Sequence, residues 1–178
     1  MHAATTVLLV DGYNMIGSWP PLRKWMRQAP DIARLKLVEM LASYVSFREY
    51  QTTVVFDAYA QITPAHQETT PVGIQVYYTP FGETADTYIE RTCAQLQWQE
   101  CRVRVATSDR AQQLVVGGYD AEWLSAQQLW EEIEQTREQI RQLKPKKNSR
   151  PERGIHGYLD PQTRERLSRW RLHGSDPV

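Results

Sequence analysis

Val7-Leu8-Leu9-Val10, followed at once by Asp11-Gly12-Tyr13-Asn14, is a short, continuously apolar run that ends on polar turn formers. A run of this length and composition reads as a β-strand covered on both faces. Three further segments read the same way: Thr53 to Phe56, Ile74 to Tyr78, and Val103 to Ala106. Helical periodicity lies between them. Ile32, Leu35, Val38, Leu41 and Val45 recur every three or four residues and predict a helix over about 31–50, opened by Pro30-Asp31. A second helix is predicted over about 84–99, and a third from Asp109 to Val116, stopped by Gly117-Gly118. Ser125-Ala126-Gln127-Gln128 has the form of a capping box and starts a fourth, carrying Leu129, Ile133 and Ile140 as far as Pro145, as an arm or outer brace. Strands alternating with helices predict an α/β fold with a central, mostly parallel sheet flanked by helices. Residues 58–73 show little period and read as a long crossover without a helix.

Of the 178 residues 41% are hydrophobic and 24% charged, the composition of an ordinary globular chain. No apolar run approaches the roughly 18 residues of a membrane span, so a soluble, cytoplasmic protein is expected. Cys93 and Cys101 cannot build a disulfide scaffold, and His2, His66, His156 and His173 lack metal-ligand spacing. The zero formal net charge hides an asymmetry: residues 1–136 carry 10 Lys+Arg against 16 Asp+Glu, and residues 137–171 carry 11 against 4. We therefore divide the chain into a folded domain, 1–144, and a basic extension, 145–178, with a short helix after Asp160-Pro161. The extension calls for a polyanionic partner and the acidic body for a cation.

The carboxylates fall where a site is expected. Asp11 follows the first strand, Asp57 closes the second, Asp109 follows the fourth after two intervening residues, and Glu83 and Asp86 open the second helix. In open α/β sheets ligands bind outside the carboxyl ends of the strands. Each acid alone reads more readily as a turn or helix-cap residue than as a site residue. Together they repel one another, and a hard cation such as Mg²⁺ or Mn²⁺ relieves that repulsion while supplying a water for phosphodiester hydrolysis. Asn14 is spaced either to hold a carboxylate or phosphate or to serve as a turn amide. Thr107 or Ser108 can meet a metal water or a phosphate oxygen, and Arg110 a phosphate, unless it is simply an exposed helix arginine.

Four blocks carry a resemblance: Leu8-Leu9-Val10-Asp11-Gly12-Tyr13-Asn14-Met15-Ile16, Val54-Val55-Phe56-Asp57-Ala58, Gly82-Glu83-Thr84-Ala85-Asp86, and Ala106-Thr107-Ser108-Asp109-Arg110. In this order they resemble the YacP-like branch of the NYN-domain, PIN-like ribonucleases, and Gly157, Leu159-Asp160 and Leu167 to Arg171 extend the likeness. The resemblance implies a three-layer PIN-like fold, a divalent-metal-dependent endoribonuclease with ligands at Asp11, Asp86 and Asp109, and supporting roles for Asn14 and Asp57. It further implies translated mRNA as substrate and the ribosome as a partner. No P-loop and no Gly-x-Gly-x-x-Gly follows a strand, which disfavours nucleotide hydrolysis and dinucleotide binding. The competing class is a non-catalytic RNA-binding or ribosome-associated adaptor on the same fold. Arg137, Arg141, Lys144, Lys146, Lys147, Arg150 and Arg153 can track a phosphate backbone, or form a solvated face. Trp19, Trp25, Tyr13 and Tyr59 are expected in or near loops at the site edge, where they would stack on bases; Trp98, Trp123, Trp130 and Trp170 are expected in core or brace packing.

Overall fold

A computed structural model describes residues 5–57 and 64–143. Strand β1 (Thr5–Asp11) leads into three consecutive helices, α1 (Gly12–Ser18), α2 (Pro20–Gln28) and α3 (Pro30–Arg48). Then come β2 (Gln51–Phe56), β3 (His66–Thr69), β4 (Gln75–Tyr78), α4 (Ala85–Leu96), β5 (Cys101–Ala106), α5 (Arg110–Gly117), β6 (Glu122–Leu124) and α6 (Ala126–Leu143). The sheet order is β3-β4-β2-β1-β5-β6, parallel throughout except for β3 against β4.

Alternation along the strands builds the three layers. Leu8, Val10, Val54 and Phe56 face the buried residues of α1, α2, α3 and α6, whereas Leu9, Val55, Val103 and Val105 face α4 and α5. Because β1 pairs with β2 on one side and β5 on the other, the strand order switches direction there, and the carboxyl ends of β1 and β5 lie side by side. Gly12 permits the close packing at that point: a Cβ there would stand 2.1 Å from the Phe56 ring.

Several expectations need correction. Residues 12–28 are two helices rather than site-edge loops. Trp19 is buried, its indole N–H donating to the Ala126 carbonyl at 3.0 Å, so it is not an open stacking surface, and Trp25 is half-buried against the core. The crossover contains β3, an exposed edge strand held by its ladder to β4. Helix α3 exists as predicted, but its buried residues are Ala33, Leu37, Leu41, Tyr44 and Val45, leaving Ile32 and Leu35 exposed. Trp98 is 85% exposed, not packed. Helix α6 is a structural layer packed on the core through Leu129 and Ile133, and its capping box is present: the Ser125 N–H donates to Gln128 Oε1 at 2.9 Å and the Gln128 N–H to Ser125 Oγ at 3.1 Å. Tyr59, Trp170, the helix after Asp160 and the extension as a whole lie outside the described residues.

The sequence also concealed a buried charge. Arg104, on β5, is 6% exposed; its guanidinium donates to both Glu132 carboxylate oxygens on α6 (2.8 and 2.9 Å), to Glu122 on β6 (2.9 Å) and to the Tyr44 hydroxyl on α3 (3.1 Å). This side chain ties two helices to the edge of the sheet, and the guanidinium in turn holds the Glu132 carboxyl below its usual range.

Candidate active site

The acidic edge is built by helix capping. Asp11 caps α1, its side chain accepting from the Asn14 N–H at 3.0 Å; Asp109 caps α5, accepting from the Ala111 N–H at 2.7 Å. The cap reading thus holds for both residues. Asn14 turns its side-chain oxygen to the Ser108 N–H at 2.9 Å, tying the start of α1 to the loop that carries Asp109. Thr107 is fully buried and its Oγ1 accepts from the Asp109 N–H at 3.1 Å, while Ser108 Oγ stands 3.1 Å from Ser18 Oγ. Asp57 accepts from the Ala85 N–H and thereby pins the start of α4, where Asp86 is the second residue.

The electrostatics show which acids meet. Asp11 is 7% exposed, and its carboxyl is pushed up to about 6, first by burial and then, against the Asn14 hydrogen bond, by the charges of Asp86 and Asp57. Asp86 is also raised, by burial and by the charges of Asp109 and Asp57. Asp11, Asp57, Asp86 and Asp109 therefore share one field. Glu83 does not join them. It precedes the helix, whose cap is Thr84, and is ion-paired with Arg91. Arg110 is exposed and has no carboxylate partner among the described residues. Arg141 pairs with Glu138 at 2.8 Å; Lys144, Lys146, Lys147, Arg150 and Arg153 lie outside the described residues.

Among the described residues no three carboxylate, imidazole or thiol groups close on a common point as a ready metal cage. The donor set itself fits a hard cation, being all oxygen, partly buried and mutually repelling, and Mg²⁺ commonly uses one or two carboxylates and keeps its waters. On the other flank of Asp11, Tyr13 packs edge-on to Phe56 with ring centroids 5.1 Å apart, and its hydroxyl accepts from Arg34 at 2.9 Å. Arg34 also lies over the Tyr78 ring, 5.7 Å from its centroid. Tyr13 is among the aromatics expected at the site edge, whereas Arg34 and Tyr78 escaped the sequence reading, since they are far apart in the chain.

The raised Asp11 carboxyl has a stability consequence. The folded state binds more protons than the unfolded state between pH 3.8 and about 6, so this group's contribution falls as pH rises through that window. In metal-free protein, Asp11→Asn is therefore expected to raise stability at pH 7 by about 3 kcal/mol, on an order-of-magnitude basis, and by little near pH 4. Urea unfolding of both proteins in chelator at the two pH values checks it.

A mostly parallel sheet between two layers of helices, with acids at the carboxyl ends of its strands, defines a three-layer α/β protein. The YacP-like NYN domain model matches residues 8–172, and the chain belongs to that family, one of the PIN-like nuclease families. The chain is 37% identical over 128 residues to the uncharacterized protein YacP of Bacillus subtilis (strain 168), covering 72% of this chain and 75% of that one. The crystal structure of Rae1 (YacP) from Bacillus subtilis matches with a TM-score of 0.68 at 32% identity, covering 94% of this chain and 95% of the other. A variant of the same protein matches with a TM-score of 0.66 at 34% identity, covering 78% and 80%. No helix among the described residues is long and apolar enough to cross a membrane.

Proposed function

We propose that the chain is a divalent-metal-dependent endoribonuclease that hydrolyses phosphodiester bonds of mRNA in the cytoplasm, in association with the ribosome. The observation that carries the reading is the gathering of Asp11, Asp86 and Asp109 at a sheet's switch point: a buried, an exposed and a half-buried carboxylate, of which Asp11 is raised by burial and then by the charge of Asp86, and Asp86 by burial and then by the charge of Asp109. Asp11, Asp86 and Asp109 would hold Mg²⁺ or Mn²⁺, which when bound supplies an activated water and neutralises charge on the phosphate. The remaining work falls to the chain's own groups. Asn14 fixes the Asp109 loop against α1, Asp57 fixes α4 beneath Asp86, and Arg110 is free to meet a phosphate oxygen. The test incubates purified protein with RNA, then with translating ribosomes, with and without Mg²⁺ or Mn²⁺, and maps the cut ends. Metal-dependent internal cuts support the reading. RNA binding without cleavage in every arm would favour the adaptor.

The basic extension is assigned to RNA or ribosome contact. Replacing Lys146, Lys147, Arg150 and Arg153 together by Gln is expected to weaken binding and to flatten its logarithmic salt dependence by up to about 3, at roughly 0.7 per phosphate contact on single strands. Binding isotherms across a salt series measure it; an unchanged slope reassigns the extension to another role.

A further inference from the structure

Beside the acids, on the α5 side, a cleft of about 330 Å³ opens between α1, α5 and the start of α6. Ser18, Ser108, Arg110, Gln113, Trp123 and Gln127 line it, and no carboxylate does. In a body where acids outnumber bases, a lining with one cation and no carboxylate suits an anion. Arg34, Arg91, Arg102, Arg104, Arg137 and Arg141 are each committed to a carboxylate, whereas Arg110, like Arg23, Arg27 and Arg48, has none among the described residues, and of these four it is Arg110 that lines the cleft. The aromatic walls are fixed: the Trp123 indole N–H donates to the Thr107 carbonyl and that of Trp19, also at the cleft, to the Ala126 carbonyl, both at 3.0 Å. Gln127 is steadied by Glu131 at 2.7 Å. Ser108 and Arg110 flank Asp109 in the chain, so whatever fills the cleft adjoins the acidic edge.

We propose that this cleft is a nucleotide subsite, taking the unpaired RNA nucleotide next to the scissile phosphate. Arg110 and Ser108 meet its phosphate, Trp123 receives its base by stacking, and the carboxamides of Gln113 and Gln127 read the base's polar edge. A base already paired in a duplex cannot offer its edge in this way, so the subsite selects single strands. The placement of the nucleotide relative to the cut rests on the nuclease reading; its binding does not.

The test uses full-length protein in chelator, titrated with each of the four ribonucleoside 5′-monophosphates and with a short single-stranded oligoribonucleotide. Indole N–H resonances are followed, with Trp123→Phe assigning one of them. The Trp123 and Trp19 signals should move, and that of Trp98, before the amino end of β5, should not. The oligoribonucleotide should bind more tightly than any monophosphate, and Arg110→Ala should weaken it about tenfold. With metal supplied, Gln113→Ala and Gln127→Ala should shift the positions of the cuts. A monophosphate that binds the cleft as tightly as RNA, and that RNA does not displace, would mark an effector pocket and overturn the proposal. So would Arg110→Ala and Gln127→Ala proteins that bind and cut as wild type, and that result would leave the nuclease reading intact. If instead Asp109→Asn cuts RNA normally while the Trp123 signal still responds to RNA, the nuclease site is misassigned and the cleft stands as an RNA site.

Discussion

Asn in place of Asp11, Asp86 or Asp109 is expected to slow RNA cleavage by at least about 10²-fold while RNA affinity holds or rises. The substitution keeps the shape of each side chain. At Asp11 and Asp109 it also keeps the helix cap, since Asn accepts the Asn14 and Ala111 N–H groups as Asp does. What it removes is charge at an edge where Asp11, Asp57, Asp86 and Asp109 act on one another. Loss of that charge costs cation affinity and relieves repulsion of the phosphate, which separates the effect on turnover from the effect on binding. Asp57→Asn and Asn14→Ala should cost less, because these groups place α4 and the Asp109 loop. Glu83→Gln should cost least, since its partner is Arg91. Single-turnover cleavage and binding isotherms for the series check the ranking.

Arg104→Met is expected to lower stability by about 3–5 kcal/mol, the usual cost of breaking a buried charge pair from one side. Glu132 would keep only the Tyr44 hydroxyl as a partner at that point, and Glu122 only the exposed Arg102. For a domain of this size the melting temperature should fall by roughly 10 °C. Pairing it with Glu132→Gln should recover part of the loss, because the uncompensated carboxylate is then gone. Thermal unfolding of the single and double variants measures this, and additive losses would contradict the account.

The acids were legible because each stands next to its strand or opens its helix, so position in the chain already fixed the edge of the sheet. Glu83 is as near in sequence, three residues from Asp86, but it stands one residue ahead of the Thr84 cap and its charge goes to Arg91. Helices α1 and α2 were not legible. Gly12, Gly17, Pro20 and Pro21 break the helical signal, and tertiary burial of Met15, Ile16, Trp19 and Leu22 supplies what local preference lacks. Strand β3 has four exposed residues and no hydrophobic face, so only its hydrogen bonds to β4 define it. Arg104 sits in a run of valines, and its partners Tyr44, Glu132 and Glu122 lie 60, 28 and 18 residues away, beyond any local pattern.

The most direct test of the central claim strips the purified protein of metal and measures cleavage of a single-stranded RNA before and after adding Mg²⁺ or Mn²⁺, with Asp109→Asn alongside. The account predicts no internal cuts in chelator, restored cutting when either ion is supplied to the wild type, and little or none from Asp109→Asn. Cleavage at the full rate in chelator, or by Asp109→Asn as fast as by the wild type, would contradict it.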